Sequence, residues 1–198
     1  MLLEKLKKFH LILATGSPRR HFLMKGAGFE FDISIPDGID ESYPKSKLKK
    51  EIPEFLAEKK ALAFSGKLYE NDLVITADTI VLVEDSILGK PMNREEAILM
   101  LQLLSGRSHD VITGVCIFTK NKKKTFSSLS KVYFNKLTED EIIFYVDNYK
   151  PYDKAGAYGA QEWIGYIGIE KIEGSYYNVM GLPIQMLYAE LEQFIDSN

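Results

Sequence analysis

Apolar and polar positions along this chain alternate between strand-like runs and helix-like stripes. Residues 11–13 and 73–83 form nearly continuous apolar runs, which are typical of strands buried on both faces. Further strands are predicted at 29–35, 111–119, 125–134 and partly 164–172, and helices at 18–26, 51–66, 93–104, 138–149 and 183–194. This mixture of strands and amphipathic helices predicts an α/β fold.

The first strand leads directly into a helix start. Ser17 is a suitable N-cap and Pro18 is well tolerated at the first helical position, so a helix is predicted to begin at Pro18. Free N–H groups at that start favour an anion, and Arg19 and Arg20 add two positive charges in the same turn. Because these charges oppose the helix dipole, a bound phosphate would explain them. Solvated surface arginines are the alternative.

Two charged residues interrupt apolar patterns. Lys60 falls on the apolar stripe of the helix predicted at 51–66, where its stem could snorkel to solvent or its ammonium could meet an anionic ligand. Asp78 lies at the centre of the apolar run 73–83, where a carboxylate must neutralise, pair or bind a cation. Structural hydrogen bonding is the alternative to a catalytic role. Lys90 follows in a Gly-Lys-Pro turn that could bring a second cation near the same strands.

Composition narrows the function classes. The 198 residues are 45% hydrophobic and 27% charged, and a net charge of -3 gives no reason to expect binding to nucleic acid. The one cysteine, Cys116, excludes an internal disulfide framework and is interpreted as a core residue. No apolar run approaches the ~20 residues of a membrane span and no signal peptide is recognisable, so a soluble cytoplasmic protein without a membrane partner is expected. With no repeat or separable linker, residues 1–198 are predicted to form a single domain with two lobes.

Four separated motifs together resemble one family. They are LATGSPRR at 13–20, ADT at 77–79 with GKP at 89–91, LSGRSH at 104–109, and DKAGAYGAQ at 153–161 with the segment 176–183. In this order, and over nearly the whole chain, they resemble the Maf family of nucleoside triphosphate pyrophosphatases. The resemblance implies a fold like that of inosine triphosphate pyrophosphatases, in which an elongated mixed β-sheet is flanked by helices and two lobes enclose a central cleft.

The resemblance also implies a reaction and residue roles. The reaction is hydrolysis of the α–β phosphoanhydride of a nucleoside triphosphate to the monophosphate and pyrophosphate, with Mg²⁺ or Mn²⁺ as cofactor. Asp78 corresponds to the family's proton acceptor, and we expect it to position or deprotonate the attacking water. By motif, the catalytic residues are Asp78, Lys90 and Glu41, the substrate-binding residues are Ser17, Arg19, Arg20, Lys60, Thr79 and Gln161, and the metal ligands are Glu41 and Asp78.

Base preference follows from three further matches. Arg19, Thr79 and Gln161 match the branch of the family that resembles dTTP/UTP pyrophosphatases. A glutamine amide offers both a donor and an acceptor, as a uracil or thymine edge requires. We therefore predict dTTP and UTP, with modified pyrimidine nucleotides as further candidates, in preference to purine nucleotides. Glu162 departs from the family pattern, which usually has glycine there, and it could alter base preference or simply point to solvent.

A second hypothesis comes from a different class of protein. The same residues could serve a nucleotide-binding regulator of cell division or septum formation that senses nucleotides without significant turnover. The presence of Asp78, Lys90 and the two arginines favours the enzyme, since a sensor needs no water-activating carboxylate. The family also suggests a homodimer, although no apolar stripe in the sequence identifies an interface.

Overall fold

The computed structural model describes residues 1–36, 38–44 and 46–197. Its strands are β1 (His10–Leu13), β2 (Asp32–Ile33), β3 (Asp72–Val83), β4 (Ser86–Leu88), β5 (Ser108–Phe118), β6 (Lys123–Phe134) and β7 (Ile169–Glu173). Its helices are α1 (Leu2–Leu6), α2 (Pro18–Gly26), α3 (Ile52–Leu62), α4 (Arg94–Leu104), α5 (Glu139–Tyr149), α6 (Trp163–Gly168), α7 (Tyr176–Val179) and α8 (Ile184–Asp196). Short 3₁₀ turns span Lys49–Glu51 and Ala155–Ala157.

The strands form one mixed sheet. Its order is β2-β1-β3-β5-β6-β7, with β4 pairing beside β3. β1 is parallel to both β2 and β3, whereas β4 is antiparallel to β3 and β7 is antiparallel to β6. The register of β1 and β3 pairs Leu13 with Ile75, so the turn after β1 lies beside the residues that lead to Asp78. The predicted α/β class and the mixed sheet with flanking helices are confirmed.

Two predicted strands differ from the observed ones. The strand predicted at 29–35 is reduced to β2, whose two residues, Asp32 and Ile33, are both exposed, so no buried face extends the strand. The strand predicted at 164–172 is wrong in its first half, where residues 163–168 form α6 and β7 begins only at Ile169. Ile164 and Gly168 are both buried and four residues apart, which is the spacing of one helix face.

The helix starts follow local capping rules. α2 begins at Pro18 as predicted, with Ser17 in the N-cap position, although the Ser17 side chain makes no capping hydrogen bond. At α4, Asn93 accepts a hydrogen bond from the Glu96 N–H, whereas the Glu96 carboxylate accepts one from the Met92 N–H, one residue before the N-cap. At the start of α5, Thr138 and Glu141 form a complete capping box.

The chain divides into two compact units. The first comprises Met1–Asp78, Thr113–Ser128 and Gly181–Asn198, and the second comprises Thr79–Ile112 and Leu129–Met180. The core of the first unit includes Cys116, as predicted, and burial raises the pKa of its thiol to about 12. Within the described ranges, no helix combines the length and the apolar character that crossing a bilayer requires. The expected cleft between two lobes stays a prediction.

His109 is buried inside the second unit. Its Nε2 lies 2.7 Å from the Tyr158 hydroxyl, and its ring packs edge-on against Phe134 and Tyr158. Burial lowers the pKa of His109 to about 4. The native state therefore holds a neutral imidazole at a pH where an unfolded histidine, with its ordinary pKa near 6.5, is already protonated.

This difference predicts a pH-dependent stability. As the pH falls from about 6.5 towards 4, the unfolded chain binds a proton that native His109 does not, so the free energy of unfolding decreases. Between pH 7 and pH 5 the expected loss is about 2 kcal/mol. A His109→Gln variant cannot titrate and keeps a side chain that can hydrogen-bond Tyr158, so urea unfolding at the two pH values should show a smaller loss. Equal losses in both proteins would contradict the assignment. Hydrogen bonds to Asp32 and Asp72 raise the pKa of His10, so His10 stabilises the native state as the pH falls. This contribution is the same in both proteins and does not affect the difference between their losses.

Candidate active site

The turn between β1 and α2 is held by its own side chains. Thr15 is buried, and its Oγ1 accepts hydrogen bonds from the Ser17 N–H at 3.2 Å and from Arg20 Nη1 at 3.3 Å. The backbone carbonyl of Thr15 lies 2.7 Å from Nε2 of His21. These contacts fix the turn at the start of α2, where the helix presents its N–H groups. No spacing in the sequence indicates the contacts that Thr15 and His21 make.

Arg20 connects this turn to the strand that carries Asp78. Its Nε donates to the carbonyl of Gly181 at 2.8 Å, and its Nη1 donates to the carbonyl of Ala77 at 2.8 Å. Loss of hydration lowers the pKa of Arg20 to about 10, against the opposing effect of the charges on Asp78 and Glu41. The guanidinium therefore stays charged at neutral pH and lies within electrostatic range of both carboxylates.

Lys60 lies between two carboxylates of the predicted site. Its Nζ is 2.6 Å from Oδ1 of Asp78 and 2.9 Å from Oε1 of Glu41. The Lys60 and Asp78 side chains are only 16% and 15% exposed, whereas Glu41 is 59% exposed. Asp78 therefore pairs with a cation rather than lying isolated in its apolar strand, which offsets the cost of its burial. The ammonium of Lys60 meets these anionic groups instead of extending alone into solvent.

The loop that carries Glu41 is attached to α3 by the preceding lysine. Lys59 Nζ lies 3.0 Å from Oδ2 of Asp40 and 3.0 Å from the carbonyl of Ser42. Asp40 also accepts hydrogen bonds from the side chain and backbone N–H of Ser42, and these contacts together lower the pKa of Asp40 to about 2. Two consecutive lysines thus hold the loop against the last turns of α3. In the sequence, the adjacency of Lys59 and Lys60 is the one signal that could have indicated these contacts with the loop.

Three further predicted residues belong to the second unit. Thr79 is half-buried at the point where that unit begins, and Lys90 is exposed in the turn after β4. The Gly89 carbonyl in this turn accepts a 3.0 Å hydrogen bond from the Gly156 N–H, which joins the Gly-Lys-Pro motif to the motif at 153–161. Gln161 is half-buried, and its Oε1 is buried without a hydrogen-bond partner among the residues that the structure describes.

Glu162 does not simply point to solvent. Its Oε1 lies 3.1 Å from Nζ of the buried Lys154, and its Oε2 accepts a hydrogen bond from the Tyr145 hydroxyl. One of the two alternatives for this departure from the family pattern is therefore wrong. Sequence reasoning missed both partners, because Lys154 lies eight residues earlier in an irregular segment and Tyr145 lies on a separate helix.

The predicted site residues therefore fall into two groups. The first unit holds Ser17, Arg19, Arg20, Glu41, Lys60 and Asp78, and the second holds Thr79, Lys90 and Gln161. Within the first group the ion pairs of Lys60 bring Glu41 and Asp78 together. The charge of Arg19 also lowers the pKa of Arg20, so the two guanidinium groups interact at the start of α2.

The side chains of Glu41 and Asp78 are of the chemical type that binds a divalent cation such as Mg²⁺. Both offer carboxylate oxygens, and both already lie within 3 Å of one cationic atom, Lys60 Nζ. No group of three or more histidine, cysteine or acidic side chains suited to a metal occurs in the described part of the chain. Mg²⁺ is usually held by one or two protein carboxylates together with substrate phosphates, so Glu41 and Asp78 are sufficient in kind for such a site.

Comparison with solved structures defines the class of fold. The Ham1 protein of Staphylococcus aureus matches with a TM-score of 0.54 and 19% identity, over 93% of this chain and 98% of that chain. A HAM1 protein from Coxiella burnetii matches with a TM-score of 0.50 and 13% identity, over 93% and 99%. At such identities the likeness concerns the fold alone, and it supports the predicted α/β fold with a mixed sheet flanked by helices.

Sequence comparison identifies the family. The profile of the Maf family, described as Maf-like protein, matches residues 10–194, and the chain belongs to this family. A relative from Parabacteroides distasonis is 55% identical over 98% of this chain and 100% of its own length. Relatives from Bacteroides fragilis and Porphyromonas gingivalis are 52% and 48% identical, over 97% and 100% of this chain and 100% of their own lengths. All three are named dTTP/UTP pyrophosphatase.

Proposed function

We propose that this chain hydrolyses the α–β phosphoanhydride of dTTP and UTP and releases the nucleoside monophosphate and pyrophosphate. The observation that carries the proposal is the ion pair between Asp78 on β3 and Lys60 on α3. β3 pairs in parallel with β1, the strand that leads into the two arginines in the first turn of α2. The name that the relatives share at 48–55% identity supports the same reaction.

Asp78 acts on the attacking water in this proposal. Lys60 engages Oδ1 of Asp78 at 2.6 Å and fixes the carboxylate plane, and Oδ2 accepts the hydrogen of the water. As the water oxygen bonds to the α-phosphorus, its proton passes to Asp78. The bond from that phosphorus to the bridging oxygen breaks, and the bridging oxygen leaves with pyrophosphate. No histidine is needed for this transfer, because an ionised carboxylate is an acceptor.

The cationic groups offset the charge of the triphosphate and of the departing pyrophosphate. Arg20 retains its charge at neutral pH, and the N–H groups at the start of α2 supply further donors beside it. Arg19 and Lys60 contribute from the same unit, and the motif assigns Lys90 the same role. Ser17 binds phosphate in the turn, whereas Thr79 and Gln161 contact the nucleotide.

Activity depends on Mg²⁺ or Mn²⁺ in this proposal. Glu41 and Asp78 would hold the cation, together with phosphate oxygens of the substrate. When bound, the cation neutralises phosphate charge and stabilises the leaving group. The regulator hypothesis is not favoured, because the named relatives are enzymes, and the ion pair of Asp78 with Lys60 supports the role of Asp78 as the water-activating carboxylate.

A nucleotide panel tests both the bond cleaved and the base preference. With Mg²⁺ or Mn²⁺, dTTP and UTP should release pyrophosphate with kcat/KM at least about tenfold above that for GTP or ATP, a difference of about 1.4 kcal/mol in transition-state binding. EDTA should abolish this release. Orthophosphate as the first product would place cleavage at a different bond, and faster hydrolysis of GTP would overturn the base preference.

A further inference from the structure

Gln161 is followed by a carboxylate that is held inside the second unit. Glu162 pairs with Lys154 Nζ at 3.1 Å and accepts a hydrogen bond from Tyr145. The same Tyr145 hydroxyl accepts a 3.0 Å hydrogen bond from the Gly159 N–H. Burial and the contact with Glu162 raise the pKa of Tyr145, so its hydroxyl keeps the proton that it donates. Both ends of the turn at 159–162 are therefore tied to one buried hydroxyl.

The missing side chain of Gly159 brings Gln161 and Glu162 side by side. A Cβ at Gly159 would lie 3.0 Å from Nε2 of Gln161 and 3.0 Å from Oε2 of Glu162. The amide nitrogen of Gln161 and the carboxylate of Glu162 are thus at most about 6 Å apart. A negative charge at this distance attracts the NH₂ end of the amide and repels its oxygen.

This arrangement gives the Gln161 amide a defined direction. Its nitrogen lies on the side of the Glu162 carboxylate, and its buried Oε1 has no hydrogen-bond partner in the described ranges. A buried acceptor without a donor is costly, so the site gains when a ligand supplies the hydrogen. If Gln161 contacts the base, its amide oxygen accepts a hydrogen bond from a donor on the base edge.

We propose that Glu162, held by Lys154 and Tyr145, is a positioning residue that orients the Gln161 amide and thereby selects uracil and thymine over cytosine. This inference rests on the proposed function, which makes Gln161 the residue that contacts the base. Uracil and thymine carry an N3–H donor on their Watson–Crick edge, whereas cytosine presents N3 as an acceptor. The oriented Oε1 accepts from the former and repels the latter.

The test compares Glu162→Gln with the wild-type protein and with Asp153→Asn. Glutamine has almost the same shape, but it replaces an acceptor-only group by one with two N–H donors, which disfavours the present direction of the Gln161 amide. Asp153 is the matched control, because it is the other carboxylate on Lys154 Nζ, at 2.7 Å. Two quantities are measured: kcat/KM for UTP and CTP with metal, and the dissociation constants of both nucleotides in EDTA.

For Glu162→Gln, we expect the preference for UTP over CTP to fall about tenfold in both quantities, mainly through a higher KM for UTP, while kcat stays within about threefold. Asp153→Asn should retain the wild-type preference. A Tyr145→Phe variant, which removes the shared hydroxyl, should move the preference in the same direction as Glu162→Gln, and a thermal melt checks that each variant is folded.

The outcomes separate this proposal from the reaction itself. An unchanged preference in folded Glu162→Gln overturns the positioning role, and so does a wild-type protein that binds UTP and CTP equally. If the wild type binds UTP selectively but releases no pyrophosphate, the proposed reaction fails. In that case, loss of binding preference in Glu162→Gln still supports the positioning role.

Discussion

Replacement of Asp78 by asparagine is expected to lower kcat for dTTP about 10²–10⁴-fold, the range that a general base contributes, with little change in KM. Asparagine keeps the shape of the side chain, and its amide oxygen can still accept the hydrogen bond from Lys60 Nζ, which lies 2.6 Å from Asp78 Oδ1. It cannot take a proton from water. Steady-state release of pyrophosphate measures the effect.

Asp72→Asn provides a matched control on the same strand. The Asp72 carboxylate is also buried, but it contacts His10 and the Tyr69 N–H, and nothing places it at the predicted site. We expect this variant to be less stable yet to keep kcat within about threefold of wild type, because losing one hydrogen bond to a charged group costs only about 1.5–3 kcal/mol of stability. Full pyrophosphate release by Asp78→Asn, or an equal loss in both variants, would rule out Asp78 as the base.

Lys60→Met should have the second-largest effect, a loss of about 10²–10³-fold in kcat/KM. The substitution keeps most of the aliphatic stem but removes the ammonium that lies 2.6 Å from Asp78 and 2.9 Å from Glu41. Two carboxylates are then left near the phosphates without their shared counter-charge. The variant should also lose about 1–3 kcal/mol of stability in urea unfolding, because Asp78 is mostly buried.

Lys59→Met is the matched control for charge. It makes the same chemical change one residue earlier on α3, where the ammonium contacts Asp40 and Ser42 rather than Asp78. Because that contact is partly exposed, we expect a loss of less than about tenfold. If the two variants lost activity equally, the contact between Lys60 and Asp78 would not explain the effect, and net charge on α3 would be the simpler account.

Elements with strong local signals were predicted well. β3 covers the long apolar run almost residue for residue, and α2 begins at Pro18. The strands predicted at 111–119 and 125–134 are present as β5 and β6, and the turn between them is closed by the hydrogen bond from the Thr119 N–H to the Lys122 carbonyl. The region 164–172 was predicted less well, because its apolar residues fit both periods and the burial of Ile164 with Gly168 selected the helix.

The candidate site was only partly predictable. The motifs pointed to Asp78, Lys60 and the two arginines, and the first unit does pair Lys60 with Asp78. Nothing in the spacing predicted that Arg20 would donate to the carbonyl of Ala77, or that Glu162 would turn inward to Lys154. Such partners lie far apart in the sequence, so local patterns do not encode them.

By itself, the sequence determined the longer strands and helices, the start of α2, and the presence of a carboxylate that an apolar strand cannot leave unpaired. These features depend on the spacing of apolar side chains and on backbone groups a few residues away, which the order of residues specifies directly. Only the tertiary structure decided which cation meets Asp78 and which groups hold Glu162. Ion pairs and hydrogen bonds act over a few ångströms, and the fold alone brings residues 60 and 78, or 145 and 162, within that distance.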